Sequence, residues 1–214
     1  MTASHNALLG AFSRYSHFDE LSDYLSVRGN ILTPSQRQAL ARTNLGAASS
    51  EALAVSAGTG ITGGTGTVFK AGVSKIGDFI RTTMLIDLTG LASVATDGDI
   101  IGVGANPAYL AQITAARNGT PFAAKMTCLE VPAGGLADID VYMAAAATGK
   151  LDDAISGLSG TQLLAQGGNW TLALVKAFAD PAALADKYLY LTAGASSGAG
   201  TYTAGKFLIE IDGY

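Results

Sequence analysis

The chain has 214 residues, a formal net charge of −4 and a single cysteine, Cys128. One cysteine excludes a framework of internal disulfides, and the lack of clustered Lys and Arg argues against nucleic acid as a partner. The sequence has no uninterrupted apolar stretch of membrane-spanning length and no secretory signal at its start. These features predict a soluble protein with neither a membrane nor nucleic acid as a partner.

The first 50 residues differ from the remainder in charge and pattern. They hold four arginines against three acidic residues, whereas the rest of the chain holds nine basic against 14 acidic side chains. Helix-capping signals are concentrated in this first part, and alternating apolar residues are typical of the remainder. The sequence therefore predicts a short helical N-terminal arm followed by a β domain.

The first predicted helix covers residues 17–28. Ser16 can cap its N-terminus and Gly29 can end it. Phe18, Leu21 and Leu25 recur at helical spacing and form an apolar stripe. This stripe is compatible both with packing inside the chain's own fold and with contact to another molecule.

A second helix is predicted in "LTPSQRQALARTNLGAAS", residues 32–49. Thr33 can cap it, Pro34 suits its first turn, Gln36 can complete a capping box and Gly46 can end it. Roughly a dozen residues are marginally stable as an isolated helix in water. We therefore expect this helix to dock on another surface.

The segment between Gly46 and Gly66 contains six glycines and a single charge, Glu51. Such a composition is typical of a linker or an extended arm. We expect the arm and linker to occupy residues 1–60 and the β domain to occupy residues 67–214.

The β domain is predicted from alternating patterns that start with "FIRTTMLIDL", residues 79–88. Asn118-Gly119, between apolar runs, is the strongest hairpin signal in the chain. The number of strands and the absence of long helical patterns predict a mainly β fold, an antiparallel β-sandwich of the jelly-roll type. The further strand candidates cover residues 99–105, 108–117, 121–131, 138–144, 170–178, 187–194 and 205–212.

Several motifs match catalytic templates by letter only. Residues 58–63 spell GxGxxG, but they precede the first predicted strand instead of following one. Residues 194–198 spell GxSxG, but both histidines lie far upstream. Asp138 and Asp140 share one side of a strand without a third ligand, which is typical of a solvated strand face. We predict no catalytic, cofactor or metal site, and hence a protein that is not an enzyme.

Two stretches of the sequence resemble bacteriophage virion proteins. "LTPSQRQALARTNLGA" resembles the LTxxQKxQARxNIGA segment of tail fibres and other virion appendages. The matching or nearly matching positions are Leu32, Thr33, Gln36, Gln38, Ala39, Arg42, Asn44, Gly46 and Ala47. Arg37 and Leu45 replace the usual Lys and Ile.

Residues 67–214 resemble a family of tailed-phage virion structural proteins, through "GDIIGVGANPAYLAQITAARNGTPFAAKMTCLE", "ADIDVYMAAAATG" and "YLYLTAGASSGAGTYTAGKFLIEIDGY". The resemblance implies a β-sandwich protein of the particle surface, a capsid decoration or cement protein. It would be made in the bacterial cytoplasm and located on the outer capsid surface of the virion.

The implied partners are the major capsid protein and further copies of the chain, with a homotrimer as the expected assembly. The arm would supply the contact residues. These are Phe12, Tyr15, Phe18, Leu21, Tyr24, Leu25, Arg28, Arg37, Leu40, Arg42 and Leu45. Two alternatives remain open: a fibre or receptor-binding protein, and a glycan-cleaving enzyme that uses Asp138 and Asp140.

Overall fold

A computed structural model of the chain describes residues 55–195 and 198–214. Internal contacts divide the chain into two units, Met1–Ala52 and Leu53–Tyr214, and the described residues all belong to the second. The helices predicted over residues 17–28 and between Thr33 and Gly46 lie outside the described residues.

The described part of the chain consists mainly of strands. Two α-helices and two 3-10 helices, of four residues each, connect them. In chain order the elements are α1 (Thr59–Thr62), β1 (Val68–Ile76), β2 (Phe79–Asp87), β3 (Ala92–Ser93), β4 (Tyr109–Ile113), α2 (Ala115–Asn118), β5 (Pro121–Ala133), β6 (Ile139–Ala144), a 3-10 helix (Ile155–Leu158), β7 (Thr161–Leu164), β8 (Val175–Ala177), a 3-10 helix (Pro181–Leu184), β9 (Lys187–Ala193), β10 (Gly200–Thr201) and β11 (Ala204–Gly213).

Two main sheets are formed, and their strand pairs are antiparallel. The five-stranded sheet has the order β1-β2-β11-β5-β8, and the four-stranded sheet has the order β4-β9-β6-β7. A small third sheet pairs β3 with β10. The predicted mainly β, antiparallel fold is confirmed, while the β-sandwich arrangement and its jelly-roll connectivity stay predictions.

Alternation along the strands separates core from surface. In β2, Thr82, Met84 and Ile86 are fully buried, as the period of two predicts for one side of this strand. Cys128 in β5 is also buried. Residues of both main sheets contribute to one hydrophobic cluster.

Trp170 links the two main sheets. Its ring meets that of Phe207 in β11 edge to face, with centroids 5.2 Å apart. Its Nε1–H donates to the carbonyl oxygen of Ile139 in β6 at 2.8 Å. A buried indole thus packs on the five-stranded sheet while its polar atom is satisfied by the four-stranded sheet.

Residues 55–66 differ from the predicted linker. Ile61 in α1 is fully buried and belongs to the hydrophobic cluster. The backbone N–H of Gly58 donates to the Tyr109 carbonyl at 2.9 Å, and that of Gly60 donates to the Pro107 carbonyl at 2.7 Å. A Cβ at Gly60 would collide with the backbone of residues 106–107. The glycines here serve close backbone packing, which composition alone does not distinguish from flexibility.

The turn at Asn118-Gly119 is not a hairpin. It connects β4 of the four-stranded sheet to β5 of the five-stranded sheet, so the chain changes sheets here. Asn118 is buried, and its Nδ2 donates to Thr82 Oγ1 at 2.7 Å while its Oδ1 accepts from the Thr114 N–H at 2.8 Å. Gly119 has the positive φ, 68°, that the dipeptide predicts. The dipeptide correctly predicts the positive φ of Gly119, but Asn118 is the last residue of α2 and has no positive φ. The pairing of the flanking strands depends on distant residues.

Several strand predictions changed in extent. The predicted strand at 170–178 is reduced to β8, Val175–Ala177, and β1 and β7 were not predicted. In the strand predicted over residues 99–105, only Asp99, Ile100 and Gly102 pair, each through an isolated bridge. Within the described residues, no helix has both the length and the apolar character needed to cross a membrane.

The substitution Ile61→Ala tests whether residues 55–66 belong to the folded domain. Because Ile61 is fully buried, we expect a loss of about 2–5 kcal/mol in the free energy of unfolding, measured by chemical denaturation. Leu172→Ala, at a side chain that is 66% exposed, is the control and should have little effect. A similarly small effect of Ile61→Ala would restore the linker interpretation.

Gly119→Ala tests the sheet-changing turn. Gly119 combines φ 68° with ψ −168°, a region almost restricted to glycine, and a Cβ there would lie 2.7 Å from the Tyr214 carbonyl oxygen. We expect a loss of roughly 1–3 kcal/mol in the free energy of unfolding. Gly157→Ala, where a Cβ meets nothing within 4 Å, is the matched control. Equal stability of the two variants would contradict the strained geometry.

Candidate interaction surface

The predicted contact residues of the arm, from Phe12 to Leu45, lie outside the described residues. The candidate surface is therefore built from the β domain alone. Its most organised part is the solvent-facing side of the five-stranded sheet, which we call the outer face.

The outer face follows from alternation in its central strands. In β11 the buried residues Phe207, Ile209 and Ile211 alternate with partly exposed residues that point outwards, which are charged except for Leu208. The outward charged side chains of β2, β11 and β5 are Arg81, Asp87, Lys125, Glu130, Lys206, Glu210 and Asp212. In the part of the chain that the structure describes, all ion pairs lie on this face.

Arg81 is the centre of one ion-pair group. Its Nε and Nη2 donate to the two carboxylate oxygens of Asp212 at 2.7 and 2.9 Å, and its Nη1 lies 3.7 Å from Glu210 Oε1. Lys125 Nζ approaches the other Glu210 oxygen at 2.9 Å. The hydrogen bond and charge of Asp212 raise the pKa of Arg81. The bidentate geometry orients the guanidinium, although partial exposure keeps its effect on stability small.

Lys206 is the centre of a second group. Its ammonium contacts Glu130 and lies 3.3 Å from Asp87 Oδ2. Burial opposes ionisation of Asp87, but hydrogen bonds from Thr89 and Lys206 outweigh it and lower the pKa of Asp87. The hydrogen bond from Lys206 likewise lowers the pKa of Glu130. The outer face thus carries three positive and four negative side chains and has little net charge. A surface of this kind favours a protein partner over a strongly charged polymer such as nucleic acid.

Exposed aromatic side chains lie beside these ion pairs. Phe79, Phe122 and Tyr214 are 36%, 49% and 67% exposed, and their neighbouring ring centroids are 6.2 and 5.9 Å apart. The Arg81 guanidinium lies 5.5 Å from the Phe79 ring centroid. We call these three residues the aromatic patch. Exposed aromatic rings next to arginine are typical of the central residues of protein interfaces.

Asp138 and Asp140 do not form the solvated strand face that the sequence predicts. Both residues are buried. Asp140 accepts hydrogen bonds from the Gln166 backbone N–H at 2.7 Å and from Gln162 Nε2 at 2.8 Å. The sequence pattern shows the shared side of the strand, but β7 and the turn after it decide that this side is covered.

The electrostatic environment of Asp140 disfavours its charge. Burial raises the pKa of Asp140 above its ordinary value, and the neighbouring Asp138 carboxylate adds to this effect. Nearby, a cavity of about 180 Å³ is lined by residues that include Asp97, Tyr142 and Ser156. The described residues contain no group of three His, Cys, Asp or Glu side chains placed to hold a metal ion.

The outer face had a partial signal in the sequence. The side of β2 opposite its buried residues reads Arg81, Thr83, Leu85 and Asp87, which indicates a polar surface. The sequence does not show that β11 lies beside β2, because the two strands are separated by more than 100 residues. Only this pairing brings Arg81 to Asp212.

The raised pKa of Asp140 gives a testable pH dependence. The folded protein holds this proton at a pH at which the unfolded chain has released it, so acidification toward the ordinary range of Asp stabilises the fold through this group. Asp140→Asn removes the titration. We expect the difference in melting temperature, variant minus parent protein, to be largest near pH 7 and to fall toward about pH 4, because only the parent protein gains stability from protonation of Asp140.

The measurement is calorimetry at several pH values. Asp78→Asn, at an exposed position in the turn between β1 and β2, controls for the change in net charge. If the difference in melting temperature between Asp140→Asn and the parent protein stayed constant over this pH range, the raised pKa of Asp140 would be contradicted.

Comparison with known proteins adds no relative. The chain matches no protein-family model, no curated protein and no solved structure. The outer face is therefore interpreted from its own residues.

Proposed function

We propose that the protein is a structural component of a tailed-bacteriophage virion, a decoration or cement protein on the outer capsid surface. The sequence resemblance of residues 32–47 and 67–214 to virion proteins supports this role. The outer face supports it from the structure, since ordered ion pairs and exposed aromatic rings cover a broad sheet surface. This surface suits protein contact, and it is the observation that carries the proposal.

The arm is proposed to bind the major capsid protein. Its predicted apolar stripe, with Phe18, Leu21 and Leu25, would be buried in that contact. Arg37 and Arg42 give the arm a positive charge, whereas the remainder of the chain is acidic. Additional copies of the chain are proposed as the second partner, in a closed homo-oligomer for which the trimer stays our prediction.

The aromatic patch favours a second role. Aromatic rings open to solvent are also suited to a host receptor, which would make the protein part of a head or tail fibre. An antibody against the chain distinguishes the two roles on intact virions. A decoration protein gives dense labelling over the head, and a fibre gives a few sites at the tail or the vertices.

The structure shows where a deletion of the arm can end without removing core residues of the β domain. Residues 55–66 contribute to the domain core, so the deletion must end before Val55, and deletion of Met1–Ala52 leaves the second unit whole. We expect the full chain to bind undecorated phage heads saturably and to raise their thermal resistance. The deletion variant should keep its cooperative unfolding transition and lose head binding.

A point variant makes the same test without truncation. Leu21→Asp with Leu25→Asp places charges on the proposed apolar stripe and should weaken head binding, because each charge must be desolvated in the contact. Leu172→Asp in the domain is the matched control. Head binding that is unchanged in both the deletion and the arm variant would contradict the proposed role of the arm.

A further inference from the structure

The free edge of the five-stranded sheet is long. β1 comprises nine residues and, in residues 55–195 and 198–214, pairs only with β2. The opposite edge strand, β8, has only three residues. Along β1, backbone groups that point away from β2 therefore have no strand of the described residues beside them. Proteins usually keep such edges short, and a long edge is a template for a further strand.

The core-facing side of β1 is incompletely covered. Phe69, Ala71 and Val73 pack against the core but remain half-buried. On the adjacent strand, Met84 and Ile86 are fully buried. A strand added at the edge would cover the remaining apolar area of the three β1 side chains.

The outward side of β1 also exposes apolar residues at both ends. Val68 is 42% exposed and Ile76 is 78% exposed. Between them lie Lys70, Gly72 and Ser74. An incoming strand must cover the two apolar ends without placing a positive charge opposite Lys70.

A second copy of β1 satisfies these requirements in one register. An antiparallel pair in which all nine residues find a partner is centred on Gly72. Val68 then lies opposite Ile76, Lys70 opposite Ser74, Phe69 opposite Lys75 and Ala71 opposite Val73, each pair occurring twice. No like charges face each other, and the apolar ends cover each other.

We infer that β1 is a self-association site, at which two copies of the chain pair edge to edge about a two-fold axis that passes between their Gly72 residues. The two five-stranded sheets become one continuous ten-stranded sheet. The two outer faces then lie on the same side, because a two-fold axis perpendicular to the sheet preserves its sides. Main-chain hydrogen bonds supply the attraction, and the side-chain pairs set the register.

This inference concerns assembly and goes beyond the proposed function. A two-fold contact requires an even number of copies and is therefore an alternative to the trimer. It holds equally for a decoration protein, a fibre protein or a protein with another role, so its failure and that of the proposed function are separately visible.

Substitutions that add a charge at Ser74 and reverse the charge at Lys70 test the register in the full chain. Ser74→Lys places two like-charged pairs in the contact, and we expect the dimer dissociation constant to rise about tenfold. Adding Lys70→Glu to Ser74→Lys restores opposite charges across the axis and should return the dissociation constant to about the parent value. Residues 70 and 74 of one strand are about 13 Å apart, so this rescue requires two chains.

The dissociation constants are measured by sedimentation at a series of protein concentrations. Thr171→Lys adds the same charge at an exposed position outside β1 and should leave dimerisation unchanged. Melting temperatures at low concentration check that Ser74→Lys, which lies beside Arg81 within one chain, still folds.

Amide hydrogen exchange provides the second readout. Amides of Val68–Ile76 that point away from β2 should become protected as concentration rises, while those of β8 should not. A chain that stays monomeric, or one that self-associates with equal affinity in Ser74→Lys and without protection of β1, would overturn the inference. A trimer whose stability is unchanged in Ser74→Lys and in Lys70→Glu with Ser74→Lys would also overturn the inference.

Discussion

The alternation of side chains along β11 is the constraint on which the rest of the domain depends. Phe207, Ile209 and Ile211 enter the core, while Lys206, Glu210 and Asp212 form ion pairs on the outer face. β11 lies between β2 and β5 and pairs with both along most of its length. A shift by one residue would bury three charges and expose three large apolar side chains, so the core and the charged surface impose the same register.

Close backbone packing is the second principle of the fold. Residues 55–66 fit beside the 106–109 segment because glycines remove the side chains that would collide there. At the turn between the sheets, the side-chain amide of Asn118 accepts a hydrogen bond from the Thr114 N–H and donates one to Thr82 Oγ1. Glycines and an amide side chain thus position segments through hydrogen bonds and close backbone contact.

The proposals on function rest on surfaces, because the polar groups of the described residues are largely engaged with one another. The ion pairs of the outer face bind charge to charge, and the Asp140 carboxylate is held by Gln162 and Gln166. Among the described residues, the aromatic patch remains exposed to solvent and the edge of β1 has no strand beside it. Both are suited to contact with another polypeptide, which agrees with a structural role in an assembly.

The sequence by itself determined the mainly β class, the alternation of β2 and β11 and the positive φ of Gly119. These features are local, since they follow from side-chain period and backbone preference within a few residues. The pattern predicted polar residues at Arg81 and Asp212 but not their ion pair. The prediction of a linker at residues 55–66, of a hairpin at Asn118-Gly119 and of solvent exposure at Asp138 and Asp140 was wrong. Those features were decided by tertiary structure, because burial and ion pairing depend on which distant strands become neighbours, and a single strand's pattern does not specify its neighbour.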